Sequence, residues 1–364
     1  MTRVLIGCDT LGNGGAQRQL TLLARSLPDG YEARVFSLDD GPYADVLRAS
    51  GVELQVARRR SRYDISAIFH LSREINVWQP DVVHSWGWMS SAASIVTCKL
   101  RGIPLIDGTI RRGRPPERWA RVNRFLISRA DAVIANSEAG AASYGELKPR
   151  VFVVHNGFDD ARVPPEADMP TRAQGAIVEA VMAARMAPEK DFDTLIDAVE
   201  TMRQAQRPIR FTLMGSGTDR ERLITRCAEL IEAGTVRIMD GGLEVMPVLA
   251  AADIGVLLTD PRYHAEGLSN SIMEYMACGL PVVCTDSGGN REVVSDGDTG
   301  LLVPPRDSGA VVDALCRLLD DPVEARRFGE AGRERIRTEF STQGMVANTV
   351  AVYESVIGRG SGPA

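Results

Sequence analysis

A chain of 364 residues has room for about two domains, and its 44% hydrophobic and 25% charged residues are the proportions of an ordinary globular protein. No run is long and apolar enough to span a bilayer, which excludes an integral membrane helix, and four scattered histidines without a CxxC pair argue against a structural metal site. The net charge of −6 is uneven: residues 1–165 hold 22 Arg/Lys against 17 Asp/Glu (net +5) and the remainder 20 against 31 (net −11), which points to an anionic ligand or surface on the N-terminal side and gives no sign of nucleic acid.

Arg3–Cys8 reads as a first strand, followed by the glycine-rich turn Leu11–Gly15 and a helix from Ala16 to about Leu27. Such a turn lets backbone approach a ligand closely, although GNGG lacks the spacing of the dinucleotide motif GxGxxG. Strands over Ala33–Leu38, Val52–Ala57, Asp81–Trp86, Pro104–Thr109, Ala132–Ser137 and Val151–Asn156 alternate with helical patterns near 43–50, 64–78, 89–100, 116–129 and 138–146. That alternation predicts a parallel, doubly wound α/β sheet, whose ligands bind at the carboxyl ends of the strands. His84 and Asp107 fall at those ends. The run Arg111, Arg112, Arg114, Arg118, Arg121, Arg124 and Arg129 is interleaved with Trp119, Val122, Phe125 and Leu126. Wound as a helix, it is basic on one side and apolar on the other, which suits a solvated helix packed on its own sheet or contact with anionic lipid or a lipid diphosphate.

Asp159–Gly175 lacks periodicity and is rich in proline and charge, so it reads as an interdomain linker. Alternation then restarts, with strands over Val178–Ala184, Phe211–Gly215, Val236–Asp240, Ile254–Leu258, Pro281–Thr285 and Gly300–Pro304 and helices near 191–206, 218–232, 245–252, 269–278, 307–319 and 323–337. Ser341–Ile357 is one more amphipathic helix, and Gly358–Ala364 reads as a frayed tail. The reading is two doubly wound domains in tandem, residues 1–165 and 166–340, with 341–364 as a terminal helix and tail.

The most informative stretch is His264–Gly279, HAEGLSNSIMEYMACG. It lies between two apolar strands and runs from an acidic, glycine-bearing loop into a helix that Ser269 or Asn270 can cap and Gly279 ends. A helix N-terminus and its loop amides suit a diphosphate. Two carboxylates, Glu266 on the loop and Glu274 within the helix, suit vicinal sugar or ribose hydroxyls. Arg185, at the end of the second domain's first strand, and Lys190, one of only three lysines, supply cations at the same edge for a departing diphosphate. Gly215–Gly217 is a strand-to-helix turn, and Gly288–Asn290 follows a strand end. Asp191/Asp193 and Asp296/Asp298 mimic a metal-binding DxD but begin a helix and occupy a turn, so no metal is expected. Most of the six cysteines sit in apolar runs, as buried thiols in a reducing cytoplasm do, and Val4–Ile6 gives way at once to Gly and Asp, unlike a secretory leader.

These motifs, in order, resemble the retaining glycosyltransferases of family four (glycosyl transferases group 1) with the GT-B fold. The resemblance is carried by Gly14-Gly15, Asp81–His84, Asn136-Ser137, Asn156-Gly157, Arg185 with Lys190, Glu266–Asn270 with Glu274, Asp286–Glu292 and Thr299–Pro304, and it covers nearly the whole chain. It implies two Rossmann-like domains facing across a cleft, with an acceptor-side N-terminal domain, a nucleotide-sugar-binding C-terminal domain and a terminal helix returning to the first. It further implies that Glu274 binds the nucleotide's ribose and Glu266 the transferred sugar, while Gly267, Leu268, Ser269 and Asn270 lie along sugar and diphosphate. Arg185 and Lys190 hold the diphosphate, and Gly14 and Gly15 meet the donor as the cleft closes. Many members carry a histidine at the end of the fifth N-terminal strand. Here Ile106–Arg111 has none and Trp86 replaces the second histidine of HxH, leaving His84, Asp107 or Thr109 for polar contact near the anomeric centre.

The activity so implied is a metal-independent, retaining, hexosyl-type transfer from a nucleotide-diphosphate sugar, with a UDP-sugar as the starting choice. The donor is a co-substrate, and no separate cofactor is expected. The acceptor is a glycan, a polyprenyl-diphosphate-linked glycan or a small molecule, in cell-surface polysaccharide or glycoconjugate synthesis. The expected location is cytoplasmic, with peripheral contact to the inner face of an anionic membrane through the basic N-terminal side. The alternatives are a GT-B nucleotide-sugar epimerase and a non-catalytic nucleotide-sugar-binding partner; the incomplete dinucleotide motifs disfavour a dehydrogenase.

Overall fold

The computed structural model describes residues 1–58, 64, 66–112, 120–165 and 177–358. Arg114, Arg118 and Trp119 of the basic run, linker residues 166–175 and tail residues 359–364 lie outside the described residues. The chain divides into two compact units, Met1–Gly157 with Thr342–Ala364, and Phe158–Ser341.

Unit 1 is built on seven strands: β1 (Thr2–Cys8), β2 (Tyr31–Ser37), β3 (Glu53–Val56), β4 (Val82–Ser85), β5 (Leu105–Ile110), β6 (Ala132–Ala135) and β7 (Arg150–Val153). They pair in parallel in the order β3-β2-β1-β4-β5-β6-β7. The intervening helices are α1 (Gly15–Arg25), α2 (Pro42–Ala49), α3 (Ser66–Trp78), α4 (Trp88–Arg101), α5 (Ala120–Ile127) and α6 (Glu138–Ser143). Strand β4 is buried at every position whereas edge strand β3 alternates exposed and half-buried. Helices on both faces demand continuous apolar runs at the centre and relax that demand at the edge. The strand order reverses between β1 and β4, so the carboxyl ends of these two strands flank unit 1's topological switch point.

Unit 2 repeats the plan with β8 (Val178–Ala183), β9 (Ile209–Met214), β10 (Val236–Met239), β11 (Ile254–Leu257), β12 (Val282–Thr285) and β13 (Gly300–Val303), ordered β10-β9-β8-β11-β12-β13 and again parallel throughout. Its helices are α7 (Phe192–Gln204), α8 (Arg220–Arg226), α9 (Ala228–Glu232), α10 (Met246–Ala250), α11 (Asn270–Ala277), α12 (Asn290–Val293), α13 (Ser308–Asp320) and α14 (Pro322–Glu339). The single helix expected over 218–232 is broken at Cys227, and the four-residue α12 has too few turns to leave a periodic trace. Here the switch point lies between β8 and β11.

The last helix, α15 (Thr342–Ile357), packs on α1 of unit 1. It buries Met345, Val346, Thr349, Val352, Tyr353 and Val356, and each large apolar side chain so buried contributes about 1.5–3 kcal/mol. The division between units falls at Gly157/Phe158, earlier than the boundary at residue 165 read from the sequence. Phe158 belongs to the unit 2 core, its N–H donates to the Phe340 carbonyl at 2.8 Å, and it bridges Ser341 in parallel. The residue immediately before the expected linker is thus bound to the end of unit 2.

Candidate functional site

In unit 2 the loops after β8 and β11 emerge on either side of the switch point. The Asp260 N–H donates to the Glu189 carbonyl at 3.1 Å, tying one loop to the other. The β8 loop is also bonded to the Gly215–Gly217 turn, through Met186 N–H to the Ser216 carbonyl at 2.9 Å and Asp219 N–H to the Met186 carbonyl at 3.0 Å. Lys190, at the end of the β8 loop, forms an ion pair with Glu266. The Thr259 hydroxyl donates to the same carboxylate oxygen at 3.2 Å, and His264 Nε2 lies 3.6 Å from the other. Burial alone would raise the Glu266 carboxyl. The Lys190 charge, with His264 beside it, outweighs that and holds Glu266 well below the usual carboxylate range.

The backbone around Glu266 is equally fixed. Its carbonyl accepts from Gly289 N–H at 3.0 Å. Gly288, at φ +57°, passes so close that any Cβ there would collide with the Glu266 backbone. Gly288–Asn290 is therefore the support beneath Glu266, with Asn290 Nδ2 donating to the Thr285 carbonyl at 2.8 Å.

Gly267, Leu268 and Ser269 are buried and lead into α11. Ser269 occupies the N-cap position in extended conformation, yet its side chain makes no cap hydrogen bond, contrary to the capping role read for it from the sequence. Asn270 is the first helical residue instead of the cap. The helix is held from its far side. The buried Tyr275 hydroxyl accepts from Ala183 N–H at 2.7 Å, and the Ser271 hydroxyl donates to the Ala183 carbonyl at 2.8 Å. Gly255 of β11 gives the Tyr275 ring its place, since a Cβ there would occupy the ring. These contacts lock α11 to the end of β8 and place Glu274 inward, 3% exposed, with Arg162 Nη2 2.8 Å from its Oε1.

The structure brings Lys190 and Glu266 together and gives Glu274 a separate cation. Arg185 does not join either pair; it is largely exposed and pairs with Glu189. Sequence reasoning missed Arg162, Thr259, His264 and Tyr275. His264 stood in the singled-out stretch two residues before Glu266, and that spacing was the one local signal available. The acid pairs that mimic DxD serve structure: Asp191 caps α7, Asp193 pairs with Arg222, Asp296 accepts from Leu302 N–H, and Asp298 pairs with Arg327. Among the described residues no three His, Cys, Asp or Glu side chains are grouped to hold a metal ion.

Unit 1 carries a cavity of about 320 Å³ at its own switch point. It is lined by residues that include Asp9, Gln17, Trp86, Trp88, Thr109 and Arg112. Gly14 is the extended N-cap of α1 and Gly15 its first residue, immediately before the lining residues Ala16 and Gln17. Asp9 accepts from the N–H groups of Met89 and Ser90 at 3.2 and 2.9 Å, so its carboxylate sits on the N-terminus of α4. Arg111 stacks on Trp86, its guanidinium carbon 3.6 Å from the ring centroid.

His84 does not line the cavity. It is wholly buried, its Nδ1 lies 2.8 Å from the Tyr353 hydroxyl of α15, and Gly108 closes on Nε2. Burial, with the nearby Arg111 charge, pushes its pKa well below the ordinary histidine value. Asp107 is likewise buried and consumed locally, accepting from the Ser91 hydroxyl at 2.6 Å and from the Thr109 hydroxyl and N–H at 2.5 and 2.9 Å. Of the three polar candidates at these strand ends, Thr109 alone lines the cavity. In the basic run, Arg124 is spent on the carbonyls of Tyr144 and Glu146, and Arg129 stacks on Phe125.

Each unit matches a family model of its own. Residues 13–162 match Glycosyltransferase Family 4, and residues 178–321 match Glycosyl transferases group 1. The chain belongs to the family-four glycosyltransferases. Its relatives include the glycogen synthase of Mycobacterium tuberculosis, 28% identical over 76% of this chain and 69% of that protein. Another is the alpha-maltose-1-phosphate synthase of Mycolicibacterium smegmatis, 29% identical over 80% of this chain and 84% of the relative. Among solved structures, Anabaena HepE in complex with UDP and glucose has a TM-score of 0.86 at 19% identity, covering 98% of this chain and 100% of HepE. That likeness identifies the GT-B fold of this glycosyltransferase.

Proposed function

We propose that this glycosyltransferase moves a sugar from a nucleotide-diphosphate sugar to an acceptor hydroxyl with retention at the anomeric carbon and without a metal. The reading rests above all on the Lys190–Glu266 pair, with His264 and Thr259, at the switch point of unit 2 and shortly before the N-terminus of α11. Glu266 is too acidic in this setting to carry a proton at neutral pH and is already engaged by a cation, so it acts as an acceptor for the hydroxyls of the transferred sugar. Glu274 accepts the ribose hydroxyls. Lys190, the amides of Gly267–Asn270 and the exposed Arg185 guanidinium bear the diphosphate charge.

In the proposed step the bond from the anomeric carbon to the diphosphate oxygen breaks and its electron pair leaves with the diphosphate. The acceptor oxygen bonds to the same face of that carbon and passes its proton to the departing phosphate oxygen. Charge stabilisation and positioning carry such a reaction without an enzyme nucleophile. A UDP-sugar is the first donor to try, because HepE, of the same fold, was solved in complex with UDP-glucose. The acceptor is proposed to use the unit 1 cavity, where Trp86 and Trp88 offer ring faces beside Arg112. A lipid-linked glycan suits the exposed Val122 and Phe125, which Arg121 and Arg129 flank.

The test is a melting-temperature panel of UDP-, GDP-, ADP- and TDP-sugars, followed by sugar release to water with the best ligand. One donor should raise the melting temperature and be slowly hydrolysed. Binding without hydrolysis or transfer would identify a binding protein, and no shift with any donor would refute the donor reading.

A further inference from the structure

Among the described residues, every large apolar side chain that unit 1 exposes, Met1 aside, lies on α3, α4 or α5. These helices share one face of the sheet. The crossovers β3 to β4, β4 to β5 and β5 to β6 all step the same way across it, and right-handed connections put their helices on one side, opposite α1 and α2. Helices α3 and α4 lie against each other. The Thr97 hydroxyl donates to Ser72 Oγ at 3.0 Å and Arg101 Nε to Asn76 Oδ1 at 2.6 Å. Phe69, Arg73 and Val77 follow at i, i+4 and i+8 along the outer side of α3, and Val96, Lys99 and Leu100 at i, i+3 and i+4 along that of α4. The four apolar side chains of this set are 64–81% exposed. Single exposed apolar residues are ordinary, but a cluster on two adjoining helices marks a contact surface.

The charge of this layer says what it meets. Acids outnumber bases in the whole chain, 48 to 42. Helices α3, α4 and α5 invert that balance: Arg73, Lys99, Arg101, Arg121 and Arg124 stand against a single acid, Glu74, which Arg34 holds in an ion pair at 2.5 Å. We infer that the α3–α4 face docks unit 1 onto an anionic lipid surface, with Phe69, Val77, Val96 and Leu100 entering the acyl boundary and Arg73 and Lys99 at the headgroups. A second copy meeting this face with its own would set these cations against their symmetry mates. The surface differs from the basic run read from the sequence, in which Arg124 is spent on backbone carbonyls. It is also independent of the donor reading, since α3 and α4 carry no residue assigned to the donor.

The experiment is co-sedimentation of the full chain with vesicles of phosphatidylcholine, alone or with phosphatidylglycerol. The wild type should bind the anionic vesicles only, and high salt should weaken that binding. R73Q/K99Q should lower the partition about thirtyfold, the value of two cations near an anionic surface. F69S/L100S should lower it at least about tenfold. These positions are exposed, so the tryptophan-fluorescence melting of unit 1 should stay within about 2 °C in both variants. A wild type that ignores anionic vesicles would overturn the inference, as would full binding by F69S/L100S, which would reduce the effect to charge alone. Binding abolished by V122S/F125S and untouched by the α3–α4 variants would overturn the assignment to this face. A dimer that F69S/L100S dissociates, without vesicle binding, would give the face to a second copy instead.

Discussion

Removing Lys190 tests the centre of the site. In Lys190→Ala, Glu266 keeps Thr259 and the more distant His264 but loses its counter-charge, with the pair's side chains 15% and 10% exposed. Breaking a buried pair from one side costs about 3–5 kcal/mol, because the remaining charge stays buried. With two polar neighbours left on Glu266, the lower end, about 3 kcal/mol, is expected. For a unit of this size that lowers the melting temperature by about 6–12 °C. Turnover should fall by about 10²–10³, the usual cost of one preorganised group facing developing negative charge. All four tryptophans, Trp78, Trp86, Trp88 and Trp119, lie in unit 1. Tryptophan fluorescence therefore follows unit 1 alone, and calorimetry supplies the transition of unit 2.

The control is the cycle with Glu266→Gln. K190A/E266Q should be more stable than K190A, with a coupling of about 1–3 kcal/mol, since the amide needs no cation. The pH dependence has a definite sign. A carboxyl held low in the fold contributes its full stability above the unfolded value of about 4.3 and loses it as pH falls toward the folded value. The gap between wild type and K190A is then full at pH 7 and closes below about pH 4. A K190A protein with unchanged melting and turnover, or strict additivity in the cycle, would refute the reasoning.

Other consequences are independent of that pair. His84 is buried neutral, so between its lowered folded pKa and the ordinary histidine value the unfolded chain binds the extra proton. Unit 1 should therefore lose about 1.4 kcal/mol per pH unit on acidification below about 6.5, by tryptophan fluorescence, and H84Q should flatten that slope. Gly288→Ala forces a left-handed residue against the Glu266 backbone; at least about 1–2 kcal/mol of strain should appear as weaker donor binding in titration calorimetry, with the unit 1 transition unmoved. Removing residues 342–364 takes Tyr353 and its neighbours off α1 and His84, so the fluorescence transition of unit 1 should broaden or vanish while calorimetry retains that of unit 2.

The tandem doubly wound architecture was legible because central strands such as Ile254–Leu257 are covered on both faces and so read as unbroken apolar runs. Lys190, Glu266 and Glu274 were legible as charged groups in the segments that follow two strands of one sheet, Lys190 after β8, Glu266 in the loop after β11 and Glu274 within α11. What the sequence hid were pairings set by distance along the chain. Nothing local marks Phe158 as the partner of Phe340 and Ser341, or Arg162 as the partner of Glu274. His84 was correctly placed at a strand end, but only the return of α15 decides that Tyr353 covers it. Ser269 sits where a cap belongs, and a propensity for capping does not oblige the side chain to bond.

The site also resolves an apparent contradiction in the charge distribution. Residues 166–364 carry a net charge of −11, yet the proposed donor is a multiply charged anion. Net charge governs the field at long range, where salt screens it within about 8 Å at physiological ionic strength. At contact distance the accounting is local. Many of the acids of unit 2 are held by arginines on its outer helices, as in Arg222 with Asp193 and Asp219, Arg226 with Asp197 and Glu200, and Arg317 with Glu324. The two carboxylates assigned to the donor are buried, and each has a cation of its own, Lys190 for Glu266 and Arg162 for Glu274. Both therefore present acceptor oxygens to sugar hydroxyls with little negative field left over to repel a diphosphate. On this argument charge reversal of an outer helix, such as Glu324→Lys, should leave donor affinity within about twofold at physiological salt. Loss of either half-buried cation should weaken donor binding despite the small change in net charge, and a dependence of affinity on net charge alone would show the local account to be wrong.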